Sequence, residues 1–241
     1  MLRIKLTCHM NIKNIISMTS LIMVTGCQAI STVYPPEHKV LVVGDTLIYD
    51  GMITGEATLE AIRIIRDGNK PIKKLKITSS GGDMAVGIEF GYFIKEHKLD
   101  VEVNHLCFSA CANYVLPAAN SIVIDSSSLI GWHGGAKQSD ELWKLSVPSK
   151  DRPAFMVYLN RLRQKETDFF NYVGVDQKIT TYGQIIKNSC QMKEKTDGWY
   201  YSIDDIKKMG IKNIKINDSK LLEKLEYNNK TLTSCLLDIG K

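Results

Sequence analysis

The chain has 241 residues, of which 31 are Lys or Arg and 26 are Asp or Glu, for a net charge of +5. Three of the positive charges and no negative ones lie in residues 1–26, so the remaining chain carries only +2 and its basic balance says little about partners. Lys70, Lys73, Lys74 and Lys76 form the densest basic stretch. Leu75 and Ile77 alternate with them, which is the pattern of a strand with one wet face and no nucleic-acid signature.

Residues 1–26 read as an export signal and not as part of a fold. Arg3, Lys5 and Lys13 precede an apolar run, Ile15–Val24, that is too short to span a bilayer as a stable helix. Met10 is an alternative start. The run ends in Val24-Thr25-Gly26-Cys27, which resembles the lipobox of bacterial lipoproteins and would make Cys27 the lipidated residue. The expected location is a bacterial membrane facing the periplasm, and Gln28 leans the sorting towards the outer membrane. Residues 27–38, with Pro35-Pro36, read as a tether, 39–216 as the folded domain and 217–241 as a C-terminal tail.

In chain order, Lys39–Val43 and Thr46–Tyr49 are β-branched strand runs. Ala57–Arg66 follows as a helix with Leu59, Ile62 and Ile65 on its stripe, then the strand Lys74–Thr78. Asp83–His97 is apolar on most sides, as a buried helix is. Val101–Asn104 predicts a strand, Ala110–Ala119 a short helix and Ser121–Asp125 a further strand. The alternation of strands and helices predicts an α/β fold with a mostly parallel sheet. Beyond Ala136 the character is helical: Arg152–Tyr172 carries Phe155, Leu159, Leu162 and Phe169 on one stripe. Ser202 caps a helix that Gly210 closes, and Lys212–Ile216 reads as the last strand.

Cys8 lies in the signal and Cys27 at its end, leaving Cys107, Cys111, Cys190 and Cys235. Four cysteines allow three full pairings, and sequence does not choose among them. Cys107–Cys111 is feasible if Cys107 precedes the helix, and Cys190–Cys235 would then tie the tail down. A lone Cys-x-x-x-Cys supplies only two of the four ligands a structural metal needs, so no metal is expected.

The chemistry concentrates in three short segments: Thr78-Ser79-Ser80-Gly81-Gly82-Asp83, Cys107-Phe108-Ser109-Ala110-Cys111, and Ile130-Gly131-Trp132-His133-Gly134-Gly135. A serine at a strand-to-helix turn places its hydroxyl where N–H groups favour developing negative charge. Taken alone, Ser109 would be read as a helix cap, Gly81-Gly82 as a turn and His133 as a surface residue. His105 reads as structural; His38 and His97 read as surface residues.

The order and spacing of these segments, from Ile48 to His133, resemble the Clp peptidase branch of the ClpP/crotonase superfamily, built of stacked ββα units, here with a C-terminal helical extension. The resemblance implies Ser109 as nucleophile, His133 as general base, and the N–H groups of Gly82 and Ala110 as oxyanion hole. It places an aspartate just before the closing Ser-x-x-x helix. Asp197 falls there with one extra residue between, Asp176 is the competitor, and a site without an acid is the third alternative. It further implies an extended peptide or unfolded-protein substrate, no cofactor, and a trimer or hexamer packed through Arg152–Tyr172.

Three rival readings remain. A non-catalytic binding or scaffolding lipoprotein would keep the fold without turnover. An acyl-CoA enzyme of the crotonase type would use carboxylates such as Asp83 and leave Ser109 and His133 without a role. A Ser-Lys dyad would call on Lys137 or Lys144.

Overall fold

The computed structural model describes residues 38–69, 71–186, 189–217 and 221–239. The expected signal, the lipobox at Cys27 and all of the tether except His38 lie outside these residues. Strands β1 (Lys39–Val43), β2 (Thr46–Asp50), β3 (Lys74–Ser79), β4 (Asp100–Phe108), β5 (Ile122–Ile124) and β8 (Ile214–Ile216) lie side by side in that order. Among the described residues of this sheet, the β1–β2 pair alone is antiparallel. From β2 through β8 every pairing is parallel, and β6 (Leu129–Gly131) joins β4 in parallel as well. The protein is α/β with a mostly parallel sheet.

Helices α1 (Gly55–Asp67) and α2 (Met84–Glu96) make the first two crossovers. The stripe α1 buries is Ala57, Thr58, Ala61 and Ile65, while Leu59, expected inside, is exposed. Small side chains let the helix lie close to its neighbours, and rotation towards that face carries Leu59 outwards. Helix α2 is buried as expected, through Gly87, Ile88, Phe90, Gly91 and Ile94. A Cβ built on Gly91 would lie 2.6 Å from the Phe169 ring and 2.7 Å from Tyr114 O, so the helix depends on a bare backbone there.

Strand β4 is longer than the periodicity predicts because it is bulged. Ile77 faces Val103, yet Ser79, two residues on, faces Cys107, four residues on. The extra residues bend the strand around His105, which has φ 68° and is exposed. One half of β4 therefore pairs with β5 (Val101–Val103) and the other with β6 (Leu106–Phe108). A π-helical turn, Cys111–Val115, follows, and α3 (Leu116–Ala118) completes the short helix.

The C-terminal half is helical over α4 (Asp140–Ser146), α5 (Arg152–Val173), α6 (Tyr182–Ile185), α7 (Cys190–Glu194) and α8 (Ile203–Lys208). Helix α5 buries Leu159, Leu162, Phe169 and Phe170, with Phe169 set edge-on to Tyr92 and Tyr114. Ser202 caps α8 by accepting from Asp205 N, as the sequence predicts.

The helical C-terminal half is as expected, but the stretch 217–241, read as a tail, carries strands. A second sheet has the order β7 (Gly198–Tyr201), β10 (Lys230–Leu237), β9 (Lys224–Tyr227). Leu221, Cys235 and Leu237 are buried in the core of the main body. The two disulfides are Cys107–Cys111 and Cys190–Cys235.

Candidate active site

The bulge in β4 aims Phe108 and Ser109 out of the sheet at the point where the strand gives way to the π-helical turn. Ser109 has φ 56°, a conformation that costs an L-residue roughly 1–2 kcal/mol. Three contacts hold it there. Its N–H donates to Gly131 O at 2.8 Å, its carbonyl accepts from Asn113 N at 2.8 Å, and the Cys107–Cys111 bridge closes a small ring around it.

Strand β6 delivers His133 to the same place. Phe108 packs its ring on the bare backbone of Gly131 and against Gly198, and lies 5.4 Å from the His133 ring, tilted. His133 Nε2 is 2.7 Å from Ser109 Oγ. One edge of the imidazole opens on solvent, but its flanks are enclosed by protein. That enclosure lowers its pKa below the ordinary 6.5, and the charge of Asp197 opposes the shift.

Gly81-Gly82 forms the other wall. Ile53 donates to Gly81 O and accepts from Asp83 N, an extension of the β2–β3 parallel pairing. In that register the N–H of Gly82 points away from Ile53, and it lines the cleft with no partner among the described residues. Ala110 N is likewise unpaired. A Cβ built on Gly81, at φ 94°, would lie 2.5 Å from Ser109 Cβ and 2.8 Å from Ala110 N, so the loop and the elbow touch. Gly82 lines the cleft with Ser109, and Ala110 follows Ser109 directly in the chain.

The two candidate acids part ways. Asp176 caps a 3-10 turn through Lys178 N and accepts from Tyr182 OH. Asp197 lies next to the site: Trp132 and Trp199 exchange N–H···O bonds of 2.8 and 2.9 Å as an antiparallel bridge. Asp197 lies two residues before Trp199, and His133 directly follows Trp132. Asp197 Oδ2 accepts from Thr233 N and Thr233 Oγ1, each at 2.8 Å. Among the described residues, Asp197 and His133 share no hydrogen bond. His105 lies in the bulge and His38 pairs with Glu60, as residues outside the site.

A cleft of about 480 Å³ runs from Ser109 and His133 between Gly82, Met84, Asn113 and α4. Leu142, Trp143 and Leu145 of α4 give it apolar lining, and Gln138 and Gln184 line it as well. Periodicity had no means of finding these residues, because α4 buries no residue and so has no core stripe. Asn113 Nδ2 and Gln184 Nε2 donate to Gly134 O and His133 O, at 2.8 and 3.0 Å, and fix the loop after the histidine. Beneath it, buried Glu166 accepts from Ala136 N, Tyr114 OH and Gln177 Nε2.

Asp83 caps α2 through Val86 N and lies outside the cleft lining, as do Lys137 and Lys144. Among the described residues no three His, Cys, Asp or Glu side chains gather as metal ligands, and no helix is long and apolar enough to cross a membrane.

No family model and no curated protein matches the sequence. Among solved structures, an enoyl-CoA hydratase from Polaromonas sp. JS666 is similar to this chain at 16% identity and a TM-score of 0.30. The match covers 39% of this chain and 50% of the hydratase. The α/β assignment rests on the strand order itself.

Proposed function

We propose that the protein is a serine hydrolase of the Clp peptidase type within the ClpP/crotonase superfamily, lipid-anchored at Cys27 and facing the periplasm. The observation that carries the reading is the 2.7 Å contact between Ser109 Oγ and His133 Nε2, made by a serine held at φ 56° on a strand-to-helix elbow. A strained nucleophile elbow with a base in reach is the arrangement acyl transfer requires.

In this mechanism His133, neutral at physiological pH, takes the proton of Ser109 as Oγ attacks the substrate carbonyl. The carbonyl oxygen becomes an oxyanion between the N–H groups of Gly82 and Ala110, where each donor is worth about 10²–10³ in rate. His133 then protonates the leaving amine, and water, deprotonated by the same ring, releases the acyl group. Asp197 supports the imidazolium through its charge. Among the described residues no Asp, Glu, Lys or Arg lines the cleft, so the segment bound there is uncharged, with apolar side chains against Leu142, Trp143 and Leu145. The substrate is an extended peptide or unfolded segment held as an added strand.

A fluorophosphonate probe tests this reading on the purified full-length protein. Labelling of the wild type that is lost in Ser109→Ala and His133→Ala supports it. A folded wild type that does not label refutes it. Lipidation is checked by palmitate incorporation, which Cys27→Ser abolishes. Oligomer formation through α5, which exposes Val157, Tyr158 and Tyr172, is checked by the mass of the detergent-solubilised protein.

One observation favours a second reading, a binding lipoprotein without turnover: the Asp197 carboxylate is engaged by Thr233 and shares no hydrogen bond with His133. The acyl-CoA reading fits less well, since no carboxylate lines the cleft among the described residues.

A further inference from the structure

The acid of the site is attached to the last strand of the chain, a part of the sequence with no motif of its own. Thr233 N and Thr233 Oγ1 both donate to Asp197 Oδ2 at 2.8 Å, and Asp197 N donates back to Thr233 Oγ1 at 3.1 Å. Asp197 Oδ1 has no partner among the described residues. Immediately beyond Thr233, β10 runs parallel to β7, with Ser234 opposite Gly198 and Cys235 opposite Trp199. β7 is itself stitched to the His133 loop by the Trp132–Trp199 bridge. Two residues past Thr233, Cys235 is bonded to Cys190, and Thr196 Oγ1 lies 3.2 Å from its sulfur. The residues flanking Asp197 and Thr233 are therefore fixed relative to His133, while the carboxylate itself is exposed and would otherwise rotate freely in water.

We propose that Thr233 is a positioning residue: it holds Asp197 by one carboxylate oxygen and leaves the other to support His133. This rests on the hydrolase reading for its purpose, though not for its geometry. The Asp197 charge is the one that acts on the His133 ring. The other charged groups on the neighbouring elements are Lys193, Glu194 and Lys195 at the end of α7 and Lys224 and Glu226 on β9. A threonine that merely tied down the C-terminal strand would leave the histidine indifferent to its hydroxyl.

The test combines an NMR titration of His133 with fluorophosphonate labelling in full-length Thr233→Val, Thr233→Ser and Asp197→Asn proteins. Thr233→Val keeps the backbone donor and removes the hydroxyl. It is expected to move the His133 midpoint down, in the same direction as Asp197→Asn, and to slow labelling by roughly 10–100-fold, the cost of a misplaced catalytic group. Thr233→Ser restores both, and adding Thr233→Val to Asp197→Asn brings no further loss. An upward midpoint with faster labelling would mean that Thr233 diverts the acid, and overturns the proposal. So does a folded Thr233→Val protein that keeps both wild-type values. Should Thr233→Val fail to fold, Thr233→Ala against Thr233→Ser asks the same question. A wild type that never labels, but whose midpoint falls in Thr233→Val, overturns the hydrolase reading and leaves the positioning role standing. A wild type that labels, with Thr233→Val labelling equally fast, overturns the positioning role alone.

Discussion

Replacing both Cys107 and Cys111 by alanine isolates what the bridge contributes to the elbow. The two residues are four apart in sequence and fully buried. In the chain-entropy treatment a ring that small restricts the open chain by about 2 kcal/mol, against about 4 kcal/mol for the 45-residue separation of Cys190 and Cys235. The left-handed conformation of Ser109 costs roughly 1–2 kcal/mol, so the small bridge and the strain it spans are of the same size. Without the bridge, Ser109 is held by its hydrogen bonds to Gly131 and Asn113. Local opening of residues 108–113 should then rise by up to about 30-fold, the equivalent of 2 kcal/mol. Hydrogen exchange of the Ser109 and Asn113 amides measures the opening directly, urea unfolding gives the global loss, and the labelling rate gives the effect on reactivity. Unchanged exchange, with labelling at the wild-type rate, would refute the idea that the bridge sets the elbow.

Three further outcomes follow from the same geometry. The labelling rate should fall on acidification with a midpoint below 6.5, because the neutral ring is the base and enclosure depresses its pKa; a midpoint at or above 6.5 contradicts the site as described. Gly81→Ala should abolish labelling while the protein stays folded by circular dichroism, since its Cβ would fall 2.5 Å from Ser109 Cβ at a backbone angle of φ 94°. Glu166→Ala strands the buried Tyr114 and Ala136 donors and frees half-buried Gln177; at about 1–3 kcal/mol for each buried donor left unpaired, urea unfolding should show a loss of at least about 2 kcal/mol. Glu166→Gln, which keeps an acceptor, should recover part of it.

The parallel core was legible because its strands are apolar runs separated by helices of clear period, and the site because Gly81-Gly82, Ser109 and His133 keep a recognisable order. The bulge at His105 was not legible: β-branched runs mark where a strand begins, but the two extra residues in β4 show only against its partner. Strand β6 has three residues and pairs with a strand more than twenty positions upstream, which leaves no local trace. Leu59 misled because helical spacing alone ranks a leucine above Ala57 and Ala61, although close helix–sheet contact prefers the alanines. The β9–β10 hairpin did carry a signal. Leu225 and Tyr227 alternate with charges up to Asn228-Asn229, and both asparagines adopt positive φ, 50° and 61°, as a tight hairpin turn requires.

The Cys190–Cys235 link also imposes an order of events on a chain that is made from its N-terminus. Cys107–Cys111 lies within the first half of the chain, whereas the loop that carries His133 is braced by Glu166, Gln184 and Trp199 from the second. Asp197 gains its partner only when β10 has emerged and docked beside β7, and the long-range bridge seals that step. A chain whose β10 has not docked lacks the Thr233 donors that anchor the Asp197 carboxylate. The last strand thus completes the corner around Asp197, and the long-range bridge holds it there.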